Sequence, residues 1–364
     1  TLVEPNPIYT ACPFSNLVLS GDRDLQAQQF SYQALKDATI RVAQTAALDV
    51  DPMARTVTLE SGNRLSYDRL IMSPGIDLRW NAIEGFDEAA AERMPHAWKA
   101  GSQTARLRAQ LMAMDDGGLV VMSVPPAPFR CPPGPYERAS LIAHYLKTQK
   151  PKSKLILLDA KDSFSKQPLF MEGWQELYGD IIEWRSASND GHVSRVDPGA
   201  MTIETDFETF NASVANIIPP QKANAIAERA GVADATGWCP VNATSFESTL
   251  QPHIHVIGDA SIAAPMPKSA FSANLQAKVC AIQVARLLSG LAPEPTTLSN
   301  TCYSYLSPDT AVSIAGVYTN ENGAFVSVSG AGGISPAGSI SNIRNQEARE
   351  AADWFSTITR DAFG

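Results

Sequence analysis

The chain has 364 residues, of which 44% are apolar and 18% are charged, so it is predicted to form two or three globular domains and not a disordered or fibrous protein. The formal net charge of -9 argues against a nucleic-acid partner, because phosphate binding needs a basic face. No run reaches the roughly 18 to 20 consecutive apolar residues that a membrane span requires, so no span is predicted.

Residues 1–90 predict the first part of a β-rich nucleotide-binding domain. Thr1 to Glu4 is typical of the end of a buried strand followed by a turn. In a dinucleotide fold, the acid at the position of Glu4 hydrogen-bonds the adenosine ribose, and a solvated turn residue is the alternative. Because the sequence starts without Met and inside this pattern, we expect a first strand, a glycine-rich loop and any signal peptide to lie upstream. Further strands are indicated at residues 39–43, 56–59 and 67–76.

Residues 91–220 predict a second α/β unit. A helix over about 97–114 is followed by a strand at 119–124, a helix at 136–147 and a strand at 154–159, which is the βαβ order of a dinucleotide fold. Where such a fold carries G-x-G-x-x-G, residues 125–135 are rich in proline, which has no N–H group for a pyrophosphate. The prediction is a Rossmann shape without an NAD(P) site.

Residues 221–292 predict the second part of the first domain, because a strand at 253–257 ends in Gly258-Asp259 and precedes a helix at about 272–289. This pattern is similar to the second flavin fingerprint of flavoproteins with two dinucleotide domains. Gly258 permits close backbone approach, and Asp259 either presents its carboxylate to the ribityl chain or caps the helix. Lys268 is either a cation near the flavin pyrimidine edge or a surface lysine.

Two other sets of residues bear on metal binding. His253 and His255 are predicted to share one face of the strand at 253–257 and are interpreted as strand packing, so no metal site is predicted. The cysteines show neither a C-x-x-C pair nor zinc-finger spacing, and their pattern alone leaves both inert thiols and a disulfide open. The five are Cys12, Cys131, Cys239, Cys280 and Cys302.

Residues 129–140, with the sequence Phe-Arg-Cys-Pro-Pro-Gly-Pro-Tyr-Glu-Arg-Ala-Ser, resemble the flavoprotein subunit of flavocytochrome c sulfide dehydrogenase. The resemblance covers essentially the whole chain and includes residues 95–101, 237–241, 264–269 and 300–304. It implies an α/β, glutathione reductase-like flavoprotein with two dinucleotide-binding domains and a small C-terminal domain. The implied domains are 1–90 and 221–292 for FAD, 91–220 for the NAD-like unit, and 293–364 for the active site and partner interface.

The same resemblance implies roles for three cysteines. Cys12 is the residue expected to carry FAD through a thioether to the 8α-methyl group, although Ala11 and Pro13 depart from the family's local motif. Cys131 and Cys302 are the expected redox disulfide, which leaves Cys239 and Cys280 as structural thiols.

Two further side chains gain roles from the resemblance. Trp354 is expected to approach the flavin from the C-terminal domain, a role compatible with a core position on an amphipathic helix. Glu137 is a candidate proton acceptor, and the alternative is an exposed acid at a helix start.

The implied function is oxidation of hydrosulfide to sulfur or polysulfide, with electrons passing to a periplasmic c-type cytochrome subunit. That subunit would hold the haem, because this sequence has no C-x-x-C-H motif. One alternative is a sulfide:quinone oxidoreductase, which the mixed charges of residues 342–363 disfavour. Another is a flavin-bearing interaction subunit without catalysis. An NAD(P)H-fed disulfide reductase is disfavoured by the proline-rich segment.

Overall fold

The computed structural model describes residues 1–338 and 341–364. Within these ranges the helices are α1 (Ser15–Ser20), α2 (Gln33–Asp37), α3 (Ser102–Ala113), α4 (Gly134–Gln149), α5 (Gln167–Tyr178), α6 (Ala225–Arg229), α7 (Ala270–Leu288) and α8 (Ser341–Phe363). The strands are β1 (Leu2–Val3), β2 (Ile8–Thr10), β3 (Gln29–Ser31), β4 (Val42–Ala43), β5 (Ala47–Asp51), β6 (Thr56–Leu59), β7 (Arg64–Ser66), β8 (Leu70–Met72), β9 (Ile76–Leu78), β10 (Leu119–Val124), β11 (Lys154–Asp159), β12 (Ile182–Arg185), β13 (Arg195–Asp197), β14 (Thr202–Glu204), β15 (Thr209–Asn211), β16 (Val214–Asn216), β17 (Gln221–Ala223), β18 (Cys239–Pro240), β19 (Ile254–Val256), β20 (Ser261–Ile262), β21 (Leu298–Ser307), β22 (Thr310–Glu321) and β23 (Ala324–Ile334). Short 3-10 turns lie at Leu25–Gln28, Ala90–Glu92, Ala187–Asn189 and Gly258–Ala260.

A parallel sheet in the order β12-β11-β10-β16 organises the middle of the chain. Its strands β10 and β11 pair in register from Leu119 with Lys154 to Val124 with Asp159. The β10 segment Leu-Val-Val-Met-Ser-Val is almost entirely buried, as expected for a parallel strand that is covered on both faces. The predicted helix between these strands is observed as α4, so the sequence-based βαβ order is correct.

The cleft above β10 and β11 is filled by protein. The fully buried Asp159 accepts a hydrogen bond from Tyr136 Oη at 2.6 Å and one from Trp184 Nε1 at 3.1 Å, and it pairs with Lys161 Nζ at 2.5 Å. The rings of Tyr136 and Phe164 stack with their centroids 3.6 Å apart. The acid that would bind the adenosine ribose of NAD in a dinucleotide fold already has protein partners, which supports the prediction of a Rossmann unit without an NAD(P) site.

Strand pairing brings distant segments of the first domain together. Strand β8 pairs in parallel with β19, so the turn after residue 72 lies beside Gly258. Strand β1 pairs in parallel with β4 and is only half-buried, not fully buried as predicted. His253 does not share a strand face with His255, because it precedes β19 at φ +65° and its ring contacts Arg55, whereas His255 is buried in the strand.

The C-terminal part is an antiparallel sheet, β21-β22-β23, with α8 packed against it. The buried residues of α8 recur at helical spacing, which gives the helix one face for the sheet. They are Arg344, Glu347, Ala348, Ala351 and Phe355. A core cluster joins this face to α1 and α4 through Phe14, Leu17 and Leu141. The N-terminal, central and C-terminal parts of the chain therefore meet at α4.

Candidate functional site

Cys131 lies in the proline-rich segment that leads into α4. Its backbone N–H donates to the carbonyl of Lys268 at 2.8 Å, and its own carbonyl accepts from Gly134 N at 2.8 Å. Cys131 has φ +58°. A Cβ added at Gly134 would lie 2.9 Å from Cys131 Sγ and 2.9 Å from Trp98 Cη2. Glycine at this position therefore leaves the room that the Cys131 sulfur occupies.

Cys302 lies on β21, and a buried lysine holds its backbone. Lys166, just before α5, is 4% exposed and its Nζ donates to Cys302 O at 2.8 Å and to Ser304 Oγ at 2.8 Å. Burial lowers the pKa of Lys166 to about 8, against the opposing effects of Cys302, Glu137 and Cys131. Sequence reasoning missed this residue, because a single lysine in a loop carries no motif and is usually exposed.

Cys131 and Cys302 lie near the junction between α4 and β21, close enough to interact electrostatically. Burial raises the pKa of the Cys131 thiol, and the charges of Glu137 and Cys302 raise it further. Both cysteines are free thiols in the structure. Although the fold brings the two together from distant parts of the chain, the disulfide between them stays a prediction.

Glu137 of α4 accepts hydrogen bonds from both the N-terminal helix α1 and the C-terminal strand β21. It is in the first turn of α4, where Oε1 accepts from Asn16 Nδ2 at 2.8 Å and Oε2 accepts from the backbone N–H of Tyr305 at 3.1 Å. Burial raises the pKa of Glu137, while these hydrogen bonds and Lys166 oppose the shift. The alternative of an exposed acid at a helix start is wrong, because the carboxylate is partly buried and bound on both oxygens.

A second cluster contains Cys12, Arg130 and Asp259. Arg130 Nη1 lies 3.9 Å from Asp259 Oδ2, and although burial lowers the pKa of Arg130, the charges of Cys12 and Asp259 leave it raised. Burial raises the pKa of Asp259, opposed by Arg130 and Lys268. Asp259 does not cap the following helix, because α7 begins eleven residues later with Ser269 as its cap. Arg130 lies in the segment 129–140 that resembles the family, but no role in the site was predicted for it from the sequence.

Lys268 is half-buried and is not a free surface side chain. Its Nζ donates to Asp259 O at 2.8 Å and to Ser261 O at 2.7 Å, and it lies 3.9 Å from the ring centroid of Trp238. Burial lowers its pKa to about 8. These contacts fix the turn that follows Gly258, which has φ +70° and so favours glycine.

The residues around this turn fit a flavin dinucleotide. The cap of α7 directs the N-terminus of a long helix into the same region, which suits an anionic group. Gln221 is buried and accepts from Arg130 N at 2.9 Å, yet its Nε2 has no hydrogen-bond partner among the described residues. A buried amide donor beside Arg130 and Asp259 offers polar contacts of the kind a flavin ring and ribityl chain need.

The remaining predicted residues occupy the edges of the site. Trp354 is half-buried on α8, and its ring stacks against Phe271 at 6.1 Å and lies 6.5 Å from Tyr303. Since Phe271 is in the first turn of α7, Trp354 packs against the start of that helix, and its approach to a flavin stays a prediction. Glu4 follows β1 as predicted, but its Oε1 accepts from the backbone and side chain of Asn6 at 2.8 and 2.7 Å. The contact that the structure shows for Glu4 is therefore a turn contact.

Two parts of this chain match models of one protein family. Residues 104–219 match the model of the central part of the sulfide dehydrogenase (flavocytochrome c) flavoprotein chain. Residues 294–363 match the flavin-binding model of flavocytochrome c sulfide dehydrogenase. Together the two matches span just over half of the chain.

Similar proteins agree with the family matches. The mitochondrial sulfide:quinone oxidoreductase of Mus musculus is 23% identical over 280 residues, which covers 71% of this chain and 59% of the mouse protein. This chain therefore spans less than two thirds of that relative. The X-ray structure of the sulfide:quinone oxidoreductase of Aquifex aeolicus superposes with a TM-score of 0.71 at 16% identity, over 99% of this chain and 85% of that one.

A ferredoxin reductase from Rhodopseudomonas palustris superposes with a TM-score of 0.64 at 17% identity, over 86% of this chain and 75% of that one. These likenesses confirm the predicted fold class, a mixed α/β flavoprotein of the pyridine nucleotide-disulfide oxidoreductase type. They do not test the roles of individual site residues or the domain boundaries, which stay predictions. No helix in residues 1–338 or 341–364 is long and apolar enough to cross a membrane.

Proposed function

This chain belongs to the family of flavocytochrome c sulfide dehydrogenase flavoprotein chains, and from that membership we propose that it oxidises hydrosulfide through Cys131 and Cys302 and passes the electrons to a c-type cytochrome. The family is one of sulfide-oxidising flavoproteins. The observation that carries the proposal is the meeting of the two cysteines at the junction of α4 and β21, beside Glu137 and Lys166.

In the proposed reaction, hydrosulfide attacks one sulfur of a Cys131–Cys302 disulfide. A new sulfur–sulfur bond forms to that cysteine, the disulfide breaks, and the other cysteine leaves as a thiolate. The proton of the hydrosulfide passes to Glu137, because burial raises the pKa of this carboxylate and makes it a stronger base. Re-forming the disulfide with release of a sulfur atom requires the persulfide and the thiolate to give up two electrons, which a bound flavin would accept. One hydrosulfide then yields one sulfur atom, one proton and two electrons.

FAD is the electron acceptor in this scheme, because it takes two electrons from a thiol and releases them singly. The chain's own residues would hold it: Asp259 and Gly258 at the ribityl side, Lys268 and Arg130 as nearby cations, and Trp354 from α8. We propose that Cys12 carries the flavin covalently. Support for this comes from its position next to Arg130 and Asp259.

The acceptor and the compartment follow from the family alone. We propose a cytochrome partner that holds the haem, and a periplasmic location. The rival acceptor is a quinone, which the names of the mouse and Aquifex aeolicus proteins suggest. A quinone-linked protein would be expected to dock on a membrane through an apolar or basic face, whereas the exposed side of α8 carries acidic and basic residues together.

An anaerobic titration with sulfide tests the proposed function. We expect sulfide to bleach the flavin absorption of the purified holoprotein, and oxidised cytochrome c to restore it faster than a soluble quinone analogue does. NADH should leave the spectrum unchanged, because the cleft at Asp159 is filled. Bleaching by NADH but not by sulfide would contradict the proposal, and re-oxidation by quinone alone would favour the rival acceptor.

A further inference from the structure

Asn300 lies on the same face of β21 as Cys302, two residues earlier, and is 2% exposed. Its Nδ2 donates to Cys302 Sγ at 3.1 Å, and the Cys302 thiol donates to Oδ1 over a longer distance of 3.6 Å. An amide N–H that points at a sulfur stabilises a sulfur anion more than a neutral thiol, because hydrogen bonds to charged groups are the stronger ones.

Two serines of α7 fix the orientation of this amide. Ser269 Oγ donates to Asn300 Oδ1 at 2.5 Å, and Ser272 Oγ lies 3.1 Å from the same oxygen. Ser269 Oγ also accepts from the backbone N–H of Ser272 at 3.0 Å, as the cap of α7. The hydroxyl proton of the buried Ser269 therefore needs a separate acceptor. Flipping the Asn300 amide would replace that acceptor, Oδ1, with an N–H group. The N–H of Asn300 is thus held toward Cys302.

We propose that Asn300 is a positioning residue that stabilises negative charge on the sulfur of Cys302, as thiolate or persulfide, during sulfide oxidation. This role rests on the proposed function. Asn300 thereby connects Ser269, the cap of α7, to Cys302, one of the two proposed redox cysteines. No role was predicted for Asn300 from the sequence, although it begins the segment 300–304 that resembles the family.

Other groups also act on Cys302. Lys166 holds its backbone carbonyl, and Cys131 and Tyr318 lie close enough to interact with it electrostatically. Their contributions stay in place when only Asn300 is changed, so variants of Asn300 isolate the hydrogen bond to the sulfur.

The test is peptide-resolved alkylation of the reduced holoprotein with iodoacetamide across a range of pH. In Asn300→Ala, alkylation of Cys302 at pH 7 should slow about tenfold. Asn300→Asp, which places a carboxylate at the sulfur, should slow it further. Ser272→Ala should slow it less, and it is the fallback if the Asn300 variants do not fold.

The matched control is Asn345→Ala, because Asn345 is only half-buried in the same part of the chain and donates to Asp309 O. This control should leave the Cys302 profile unchanged. An unchanged profile in folded, flavin-retaining Asn300→Asp protein would overturn the role of Asn300 alone. Failure of sulfide to bleach the wild-type flavin would overturn the proposed function, which the alkylation profile does not measure.

Discussion

Replacing Cys131 or Cys302 with serine is expected to lower the rate of sulfide-dependent flavin reduction by roughly a thousandfold or more. Serine cannot form the disulfide that hydrosulfide attacks, and a lone remaining cysteine has no partner to act as a leaving thiolate. Because neither sulfur makes a backbone hydrogen bond that the fold needs, both variants should keep their flavin. Stopped-flow absorbance after anaerobic mixing with sulfide measures the effect.

Cys280→Ala is the control for these variants. Cys280 is fully buried in α7, away from the junction of α4 and β21, so its loss should affect stability modestly and the sulfide reaction little. Sulfide reduction at the wild-type rate in Cys131→Ser or Cys302→Ser would remove the basis for the mechanism. It would revive the alternative of a flavin-bearing subunit that only anchors its partner.

Arg138→Met is expected to destabilise the protein by about 3–5 kcal/mol. Arg138 is 3% exposed and donates to Asn16 Oδ1 at 3.0 Å, to Asn216 Oδ1 at 3.0 Å and to the carbonyls of His96 and Ala97 at 2.9 and 2.6 Å. These acceptors come from α1, β16 and the loop before α3, so one guanidinium joins the N-terminal part of the chain to the central sheet. Methionine fills the space but leaves buried acceptors unpaired.

Denaturant unfolding of the holoprotein, followed by flavin fluorescence, measures this loss. Arg195→Ala is the matched control, because Arg195 is about half exposed and its nearest acid, Glu84, lies 3.5 Å away at the surface. Surface ion pairs of this kind contribute about 1 kcal/mol or less. If Arg138→Met unfolds at the same denaturant concentration as Arg195→Ala, the guanidinium does not join the two parts as described.

Local patterns were enough to predict the central α/β unit. The apolar strands at 119–124 and 154–159, with a helix between them, were found at those positions, because runs of buried residues and helical spacing depend on near neighbours. The lack of an NAD(P) site is likewise predicted from composition, since proline cannot donate to a pyrophosphate, and it stays a prediction. The structure adds a second argument at the end of β11, where the carboxylate of Asp159 accepts a hydrogen bond from Tyr136.

The candidate site could be predicted only where a family motif marked it. Lys166 and Asn300 owe their positions to contacts between β21 and segments far away in the sequence, and no local pattern of charge or spacing identifies such contacts. The sequence left two possible roles for Asp259, a flavin contact or a helix cap, because both place an acid before a helix. The structure excludes the cap, because Ser269 occupies that position. His253 was misplaced because a backbone turn with positive φ separates it from the strand.

Denaturing mass spectrometry with a non-reducing peptide map tests the central claim most directly. We predict that the peptide containing Cys12 carries the mass of FAD, and that the peptides containing Cys131 and Cys302 are crosslinked until the protein is reduced. Free thiols at Cys131 and Cys302 in air-oxidised, flavin-loaded protein would contradict the disulfide mechanism.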